Sequence, residues 1–242
     1  MKYQTSLVTG GASGVGSAIV KQLAMEKGAK VYFTYCSSEK ESEDLVKKYH
    51  NVESIRLDFK NKKSLTNLLT ELDRLRPDIL VHNATTGFSK NHFHKLLPSV
   101  FMNSFENNII PVIAITQKFL SLAIKRRYGK IITILSSYLA GKPPIGLSAY
   151  VSEKSYLLSL CKAWATENAR FGITSNCISP STMITNFTKD VDERILDLLK
   201  SNNPTGRLLT PKEVAEAVAF FVKASPQING VNLVINSATD IL

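Results

Sequence analysis

Tyr150 and Lys154, four residues apart in the run SAYVSEKSY, set a phenol beside an ammonium on consecutive turns of a helix. Such a pair can donate a proton to a carbonyl oxygen. A phenol ordinarily ionises near pH 10 and is a poor acid or base at neutral pH, and a cation one turn away favours the phenolate. Lys154 is therefore expected to lower the Tyr150 pKa towards working pH. Ser137, thirteen residues before Tyr150 and directly after the apolar run KIITIL, offers a hydroxyl to polarise a substrate carbonyl. Asn108, in FENNIIPVIAITQ, offers an amide that could anchor a water relaying protons to Lys154. Each residue also has a plain structural reading: chance neighbours on a helix, a loop hydroxyl, a satisfied polar residue of the core.

These groups lie far apart in sequence, so a scaffold must converge on them. Apolar runs read as strands at Ser6 to Thr9, Lys30 to Tyr35, Val52 to Leu57, Ile79 to His82, Lys130 to Leu135, Thr174 to Ile178 and Val231 to Ile235. Helical periodicity fills most intervals, notably Gly14 to Lys27, Ser64 to Leu75, Phe101 to Arg126, Ala149 to Arg170 and Pro211 to Lys223. Alternation of this kind predicts an α/β fold: a doubly wound parallel sheet of about seven strands with helices on both faces. Ligands bind at the carboxyl ends of such strands, where Gly10, Asn83, Ser137 and Pro180 all fall. The segment TGGASGVG, Thr9 to Gly16, reads as a tight turn between strand and helix. Gly10, Gly14 and Gly16, with Ser13 and Val15 between them, would leave helix amides free for a pyrophosphate. A plain chain reversal is the other reading. The stretches Thr85 to Pro98 and Ser179 to Asp190 are long for connections and are candidates for substrate contacts or a lid.

With 242 residues, 44% of them hydrophobic, the chain can bury one large core and is expected to form a single domain over 1–242. Its net charge of +10 is spread over helix surfaces instead of forming an arm, so an acidic protein partner or anionic substrate is expected rather than nucleic acid. The three cysteines, Cys36, Cys161 and Cys177, lack metal-ligand spacing and fit a reducing compartment, with the cytoplasm as the default. No leader is visible and no apolar run reaches the roughly 20 residues of a membrane span, so no membrane is expected. His92 and His94 form a His-x-His without an evident third ligand, and loop packing or a substrate contact is expected there rather than a metal.

The ordered set of motifs resembles the short-chain dehydrogenase/reductase family in its single-domain Rossmann form, across nearly the whole chain. It comprises the Thr-Gly-x-x-x-Gly-x-Gly loop at Thr9 to Gly16, Asp58 after the third strand, Asn83-Ala84 after the fourth, Asn108, Ser137, Tyr150 and Lys154. Asn176, Pro180 and Thr185 follow, then GRLLTPKEVAEAV. The resemblance implies that Tyr150 donates the proton, Lys154 binds the nicotinamide ribose and lowers the phenol pKa, Ser137 polarises the carbonyl and Asn108 completes a relay. It implies cofactor contacts at Asp58, Asn83, Pro180 and Thr185 as well as at the catalytic Tyr150 and Lys154. Departures are the HNAT run, where His82 and Thr85 stand for an amide and a glycine, Ser181 after Pro180, and Asn236-Ser237 near the C-terminus. Counting forward from Gly129 selects Ser136 in place of Ser137; one inserted residue would account for the conflict, and Ser137 is preferred.

The end of the second strand holds Tyr35, Cys36, Ser37 and Ser38, with no acid until Glu39. A carboxylate there would bind the ribose hydroxyls of NAD, so its absence favours NADP, with Ser37 and Ser38 able to bond the phosphate. Within the family the chain looks most like the 3-oxoacyl-(acyl carrier protein) reductases. That resemblance implies reduction of a β-ketone, with Arg127 and Arg170 near the positions that receive an acidic carrier protein. A sugar or polyol dehydrogenase and a non-enzymatic cofactor-binding sensor are the alternatives. Homodimer or homotetramer assembly is implied through the helices holding Asn108 and Tyr150.

Overall fold

The computed structural model describes residues 4–183 and 193–241. Seven parallel strands form one sheet: β1 (Thr5–Val8), β2 (Lys30–Tyr35), β3 (Val52–Arg56), β4 (Ile79–His82), β5 (Gly129–Ile134), β6 (Ile173–Pro180) and β7 (Asn232–Ile235). Their order is β3-β2-β1-β4-β5-β6-β7. The chain winds outward from β1 in one direction, then crosses back to β4 and winds in the other. That reversal opens a crevice at the carboxyl ends of β1 and β4.

Strand alternation sorts the core into two layers. In the register Val8↔Val81 and Val81↔Ile132, one row of side chains faces a cluster with α1 (Gly14–Ala24), α2 (Glu39–Lys48) and a C-terminal helix, Pro211–Lys223. Leu7, Leu80 and Ile131 point the other way, onto α3 (Lys62–Leu75) and two long helices, Ile110–Arg126 and Ser148–Asn168. Burial on both faces explains why these strands read as continuous apolar runs.

Between β4 and β5 the chain forms α4 (Pro98–Ser104), one π turn (Phe105–Ile109) and α5 (Ile110–Arg126). The sequence predicts one uninterrupted helix from Phe101. The break follows from Pro111, which has no N–H to give the preceding turn, while Ile110 N–H reaches back five residues to Phe105 O. On length and hydropathy the stretch Pro98–Arg126 passes for a membrane span, contrary to the sequence expectation. Its apolar side, Val112, Ile115, Phe119 and Ala123, is packed on the sheet as a core helix would be. After β5, α6 (Ser148–Asn168) returns along the same face. Helices α7 (Glu193–Ser201) and α8 (Pro211–Lys223) precede β7. The buried Lys130 ammonium ties β5 to the end of α8, donating to Phe221 O at 3.1 Å and Ala224 O at 2.6 Å, a cation satisfying helix C-terminal carbonyls.

Candidate active site

The turn after β1 is held from both sides. Gly10 N–H donates to Thr34 Oγ1 (3.1 Å) and Gly11 N–H to Thr34 O (2.8 Å) on β2. On the β4 side, Thr9 Oγ1 accepts from the backbone N–H of Asn83 and Ala84, and Asn83 Nδ2 donates to Thr9 O (3.2 Å) and Gly10 O (2.9 Å). Asn83 thus spends its amide hydrogens on the loop itself. Gly10 has φ +66°, and a Cβ on Gly16 would collide with the Gly10 carbonyl, so α1 can start this close to the strand only with glycine at both places. Ser13 caps α1 without a side-chain hydrogen bond, which leaves the amides at the helix start without a side-chain acceptor beside this glycine floor. The residues present therefore fit a dinucleotide pyrophosphate. Tyr35, Ser37 and Ser38 line the way to α2, Ser38 likewise capping without a side-chain bond. Asp58 accepts from Lys60 N–H (2.9 Å) at the next strand end, and Pro180 closes β6 against Ile235. Thr185 lies outside the described residues.

Tyr150 and Lys154 enter from α6. Lys154 is buried, and its Nζ donates to Ile134 O at the end of β5 (3.3 Å) and sits 5.7 Å from the Tyr150 ring centroid. The Ser136 side chain acts on the Tyr150 phenol, lowering its pKa, and Ser136 Oγ accepts from Tyr138 N–H at 3.3 Å. Ser136 is thus the serine that acts on the phenol in the chain alone, while Ser137, equally buried, opens the short 3-10 turn Ser137–Leu139. Burial pushes the Tyr150 pKa up to about 12, opposed by the Ser136 hydrogen bond and aided by the nearby Glu153. In the chain alone the net direction is therefore upward, against the expected lowering, and it is set first by loss of solvent. Lys154 is itself pushed down by burial.

Asn108 sits in the π turn and is buried. Its Oδ1 accepts from Thr86 N–H (2.7 Å), and its Nδ2 donates to Glu153 Oε2 (2.9 Å). Ser104 Oγ donates to the same oxygen at 2.6 Å. Glu153, Ser104 and Thr34 are site neighbours that sequence reasoning missed. The one available signal for Glu153 was its place between Tyr150 and Lys154. His82, standing where the family has an amide, is buried with Nε2 2.8 Å from Thr116 Oγ1 and Nδ1 unpartnered. Desolvation, with Lys154 nearby, lowers its pKa to about 3, so it is neutral. Phe88 lies over Tyr150 with ring centroids 5.1 Å apart, and Tyr138 Oη meets Thr182 Oγ1 at 3.0 Å across the mouth. His92 and His94 are exposed with rings 5.7 Å apart. Among the described residues no group of three or more His, Cys, Asp or Glu could hold a metal ion.

A family model described as enoyl-(acyl carrier protein) reductase matches residues 10–237. An acetoacetyl-CoA reductase of Synechocystis sp. is 31% identical over 236 residues, covering 96% of this chain and 94% of that protein. The 3-oxoacyl-(acyl-carrier-protein) reductase of Buchnera aphidicola is 32% identical over 244 residues, covering 96% of each. Among solved structures, a putative gluconate dehydrogenase from Agrobacterium tumefaciens superposes with a TM-score of 0.88 at 25% identity, covering 99% of this chain and 97% of that one. A variant of the actinorhodin polyketide ketoreductase shares the fold, with a TM-score of 0.87 at 23% identity and coverage of 98% and 97%. The chain belongs to the short-chain dehydrogenase/reductase family and is an oxidoreductase that uses a nicotinamide cofactor on C=O or CH–OH groups.

Proposed function

We propose that the protein is an NADP-dependent reductase of the ketone in a 3-oxoacyl thioester, with Tyr150 as proton donor. The observation that carries this reading is the meeting of Tyr150 and the buried Lys154 at the carboxyl end of β5, where Lys154 Nζ donates to Ile134 O at 3.3 Å and lies 5.7 Å from the Tyr150 ring centroid. A phenol keeps its proton at neutral pH and can give it to an alkoxide, a much stronger base. A bound reduced nicotinamide supplies the hydride. Ser136 and Tyr150 present two hydroxyls to one carbonyl oxygen, and stabilise it as negative charge develops there. Tyr150 then gives up its proton. Lys154, a buried ammonium behind the phenol, favours the phenolate that remains and holds the cofactor ribose. Asn108 belongs to the path by which that proton is replaced. Gly10, Ser13, Gly14, Val15 and Gly16 hold the pyrophosphate, with Asp58, Asn83, Pro180 and Thr185 completing the cofactor cleft.

Preference for NADP rests on the end of β2, where Ser37 and Ser38 can bond a 2′-phosphate and no carboxylate precedes Glu39. The thioester substrate rests on the relatives, an acetoacetyl-CoA reductase and 3-oxoacyl-(acyl-carrier-protein) reductases. An acidic carrier would meet Arg127 and Arg170, which are exposed side by side, with Arg127 Nη2 donating to Arg170 O at 2.8 Å. Self-association is proposed through the exposed apolar residues Phe105 of the π turn, Ile110 of α5 and Tyr156 of α6. The test follows NADPH and NADH oxidation with a β-ketoacyl thioester, a simple diketone and a keto sugar. Oxidation of NADPH with the thioester is expected. Turnover of the keto sugar alone would favour a polyol dehydrogenase, and tight cofactor binding with no turnover would favour a sensor.

A further inference from the structure

Glu153 is a carboxyl side chain in an unusual place: 7% exposed, next to the buried Lys154 and one helical turn from Tyr150. Taking a carboxylate out of water is costly unless hydrogen bonds compensate, so its partners define what it does. They are both on the other side of the cleft wall. Oε2 takes Asn108 Nδ2 at 2.9 Å and Ser104 Oγ at 2.6 Å, from chain positions 45 and 49 residues away. Oε1 is buried with no partner. Ser104 and Asn108 also line a cavity of about 380 Å³ that reaches Tyr150, Thr86 and Phe88.

We propose that Glu153 is a positioning residue of this site, which acts through Asn108 and connects it by way of Ser104 to that cavity. The proposal rests on reading Tyr150, Lys154 and Asn108 as the catalytic set. A π turn is a weakly fixed piece of helix, and Pro111 removes a donor from its neighbourhood. An asparagine amide on such a turn can present either its oxygen or its nitrogen to the cleft. Glu153 removes that freedom, because only the NH2 end can face a carboxylate. The oxygen must then point at Thr86 N–H, which it meets at 2.7 Å. Thus a residue on α6 sets the polarity of an amide on the π turn and the position of the loop after β4. The charged groups around it are few. Lys154 and Tyr150 share its helix; His82 of β4 lies near Lys154 and is neutral; Glu106 on the π turn is exposed and faces Lys62 at 3.9 Å; Lys60 lines the cavity.

The test compares Glu153→Leu, which keeps bulk and removes the acceptor, with Glu153→Gln, whose amide oxygen can still accept from Asn108. Residue-resolved amide hydrogen exchange on the free protein needs no substrate. Thr86 N–H is expected to exchange about tenfold faster or more in the Leu variant and to recover in the Gln variant. Asn83 N–H, held by Thr9 Oγ1, should not change and serves as the control for general loosening. In turnover, the Leu variant should lose about tenfold to a hundredfold in kcat at unchanged NADPH affinity, as expected for a misplaced catalytic group. The Gln variant should come within about threefold of the native chain, and Glu153→Leu should add no further loss in an Asn108→Ala background. If the Leu variant does not fold, Glu153→Asp, one methylene too short to reach Asn108, is expected to show the same pattern. Unchanged Thr86 exchange in the Leu or Asp variant overturns the proposal, as does a loss that multiplies with that of Asn108→Ala. If no ketone is reduced by any variant, the function proposed above fails while the exchange result still decides this one.

Discussion

Lowering the pH from 7.5 to 5.0 is expected to cost the fold about 2 kcal/mol through His82 alone, and replacing that residue should remove the loss. The imidazole is 3% exposed, bonded on one side to Thr116 Oγ1, and close to the Lys154 charge. Its pKa is lowered to about 3, first by burial and then by Lys154, against about 6.5 in an unfolded chain. A base whose folded pKa is depressed stays neutral in the fold, while the unfolded chain takes up a proton below pH 6.5. Stability is therefore complete above about pH 6.5 and falls as the pH drops towards 3. Between pH 7.5 and 5.0 the free-energy difference is RT times the logarithm of about 30, or about 2 kcal/mol. For a chain of this size that corresponds to about 4–8 °C in Tm. His50, His92 and His94 are exposed, and Glu213, held at about 2 by Arg207 and Thr210, contributes its loss mainly below the ordinary carboxylate pKa of about 4.5. The assay is urea unfolding of the native chain and His82→Gln at both pH values. The Gln variant should lose markedly less stability on acidification, whatever its starting value. An equal loss in both chains refutes the argument, as does an NMR titration in which the His82 ring takes a proton between pH 5 and 7 without unfolding.

Tyr150→Phe should lower kcat by about a hundredfold to ten-thousandfold while NADPH binding, followed by nicotinamide fluorescence, is retained; full turnover would remove Tyr150 from the mechanism. Ser136→Ala should cost more in kcat than Ser137→Ala, because Ser136 is the serine that acts on the phenol; the reverse ranking would assign the polarising hydroxyl to Ser137. Ser37→Asp should shift preference from NADPH towards NADH in steady-state kinetics, since a carboxylate repels a 2′-phosphate, and an unchanged ratio would place phosphate recognition elsewhere. Thr210→Ala should destabilise the fold by about 1 kcal/mol in urea unfolding, because Thr210 and Glu213 form a reciprocal cap at the start of α8.

Much of this architecture is legible in the sequence because burial on both sides of a parallel sheet leaves apolar runs that need no periodicity to be seen. β2 and β4 coincide with the runs Lys30 to Tyr35 and Ile79 to His82, and α8 with Pro211 to Lys223. The glycine loop is legible because collision of a Cβ with backbone is a local constraint. Misreadings fall where the decisive contact is distant. The break at Phe105–Ile109 carried a local sign in Pro111, yet apolar spacing continues through it and favours a single helix. The choice between Ser136 and Ser137 turns on which hydroxyl meets the phenol, a contact that residue counting cannot measure. Sequence spacing also announces the Lys154 charge beside Tyr150, but says nothing of desolvation, and desolvation decides the sign of the phenol's shift. Glu153 is invisible for a similar reason: α6 buries residues on several sides, so a lone acid looks like a solvated position until α4 is laid against it.

The departures at His82 and the acid at Glu153 make more sense together than apart. Lys154 is a buried cation, and whatever packs around it must either tolerate or offset that charge. On the β4 side the imidazole is held neutral, so it adds no second positive charge. On the α6 side Glu153 places a carboxyl within the electrostatic reach of Lys154 without forming an ion pair with it, its bonded oxygen being given to Asn108 and Ser104. An ion pair would draw the ammonium away from Ile134 O and from the phenol. Spending the carboxyl on neutral donors therefore leaves Lys154 free to act at the Tyr150 edge of the site while its field is still partly balanced. Removing the carboxyl in Glu153→Gln is expected to lower the Lys154 pKa further, because Glu153 is a group that raises it, while the stability lost between pH 7.5 and 5.0 stays at about 2 kcal/mol, since a His82 pKa already near 3 leaves that window insensitive to any further lowering. If the Lys154 ammonium, followed by NMR, titrates identically in the native chain and in Glu153→Gln, the carboxyl does not balance the Lys154 field.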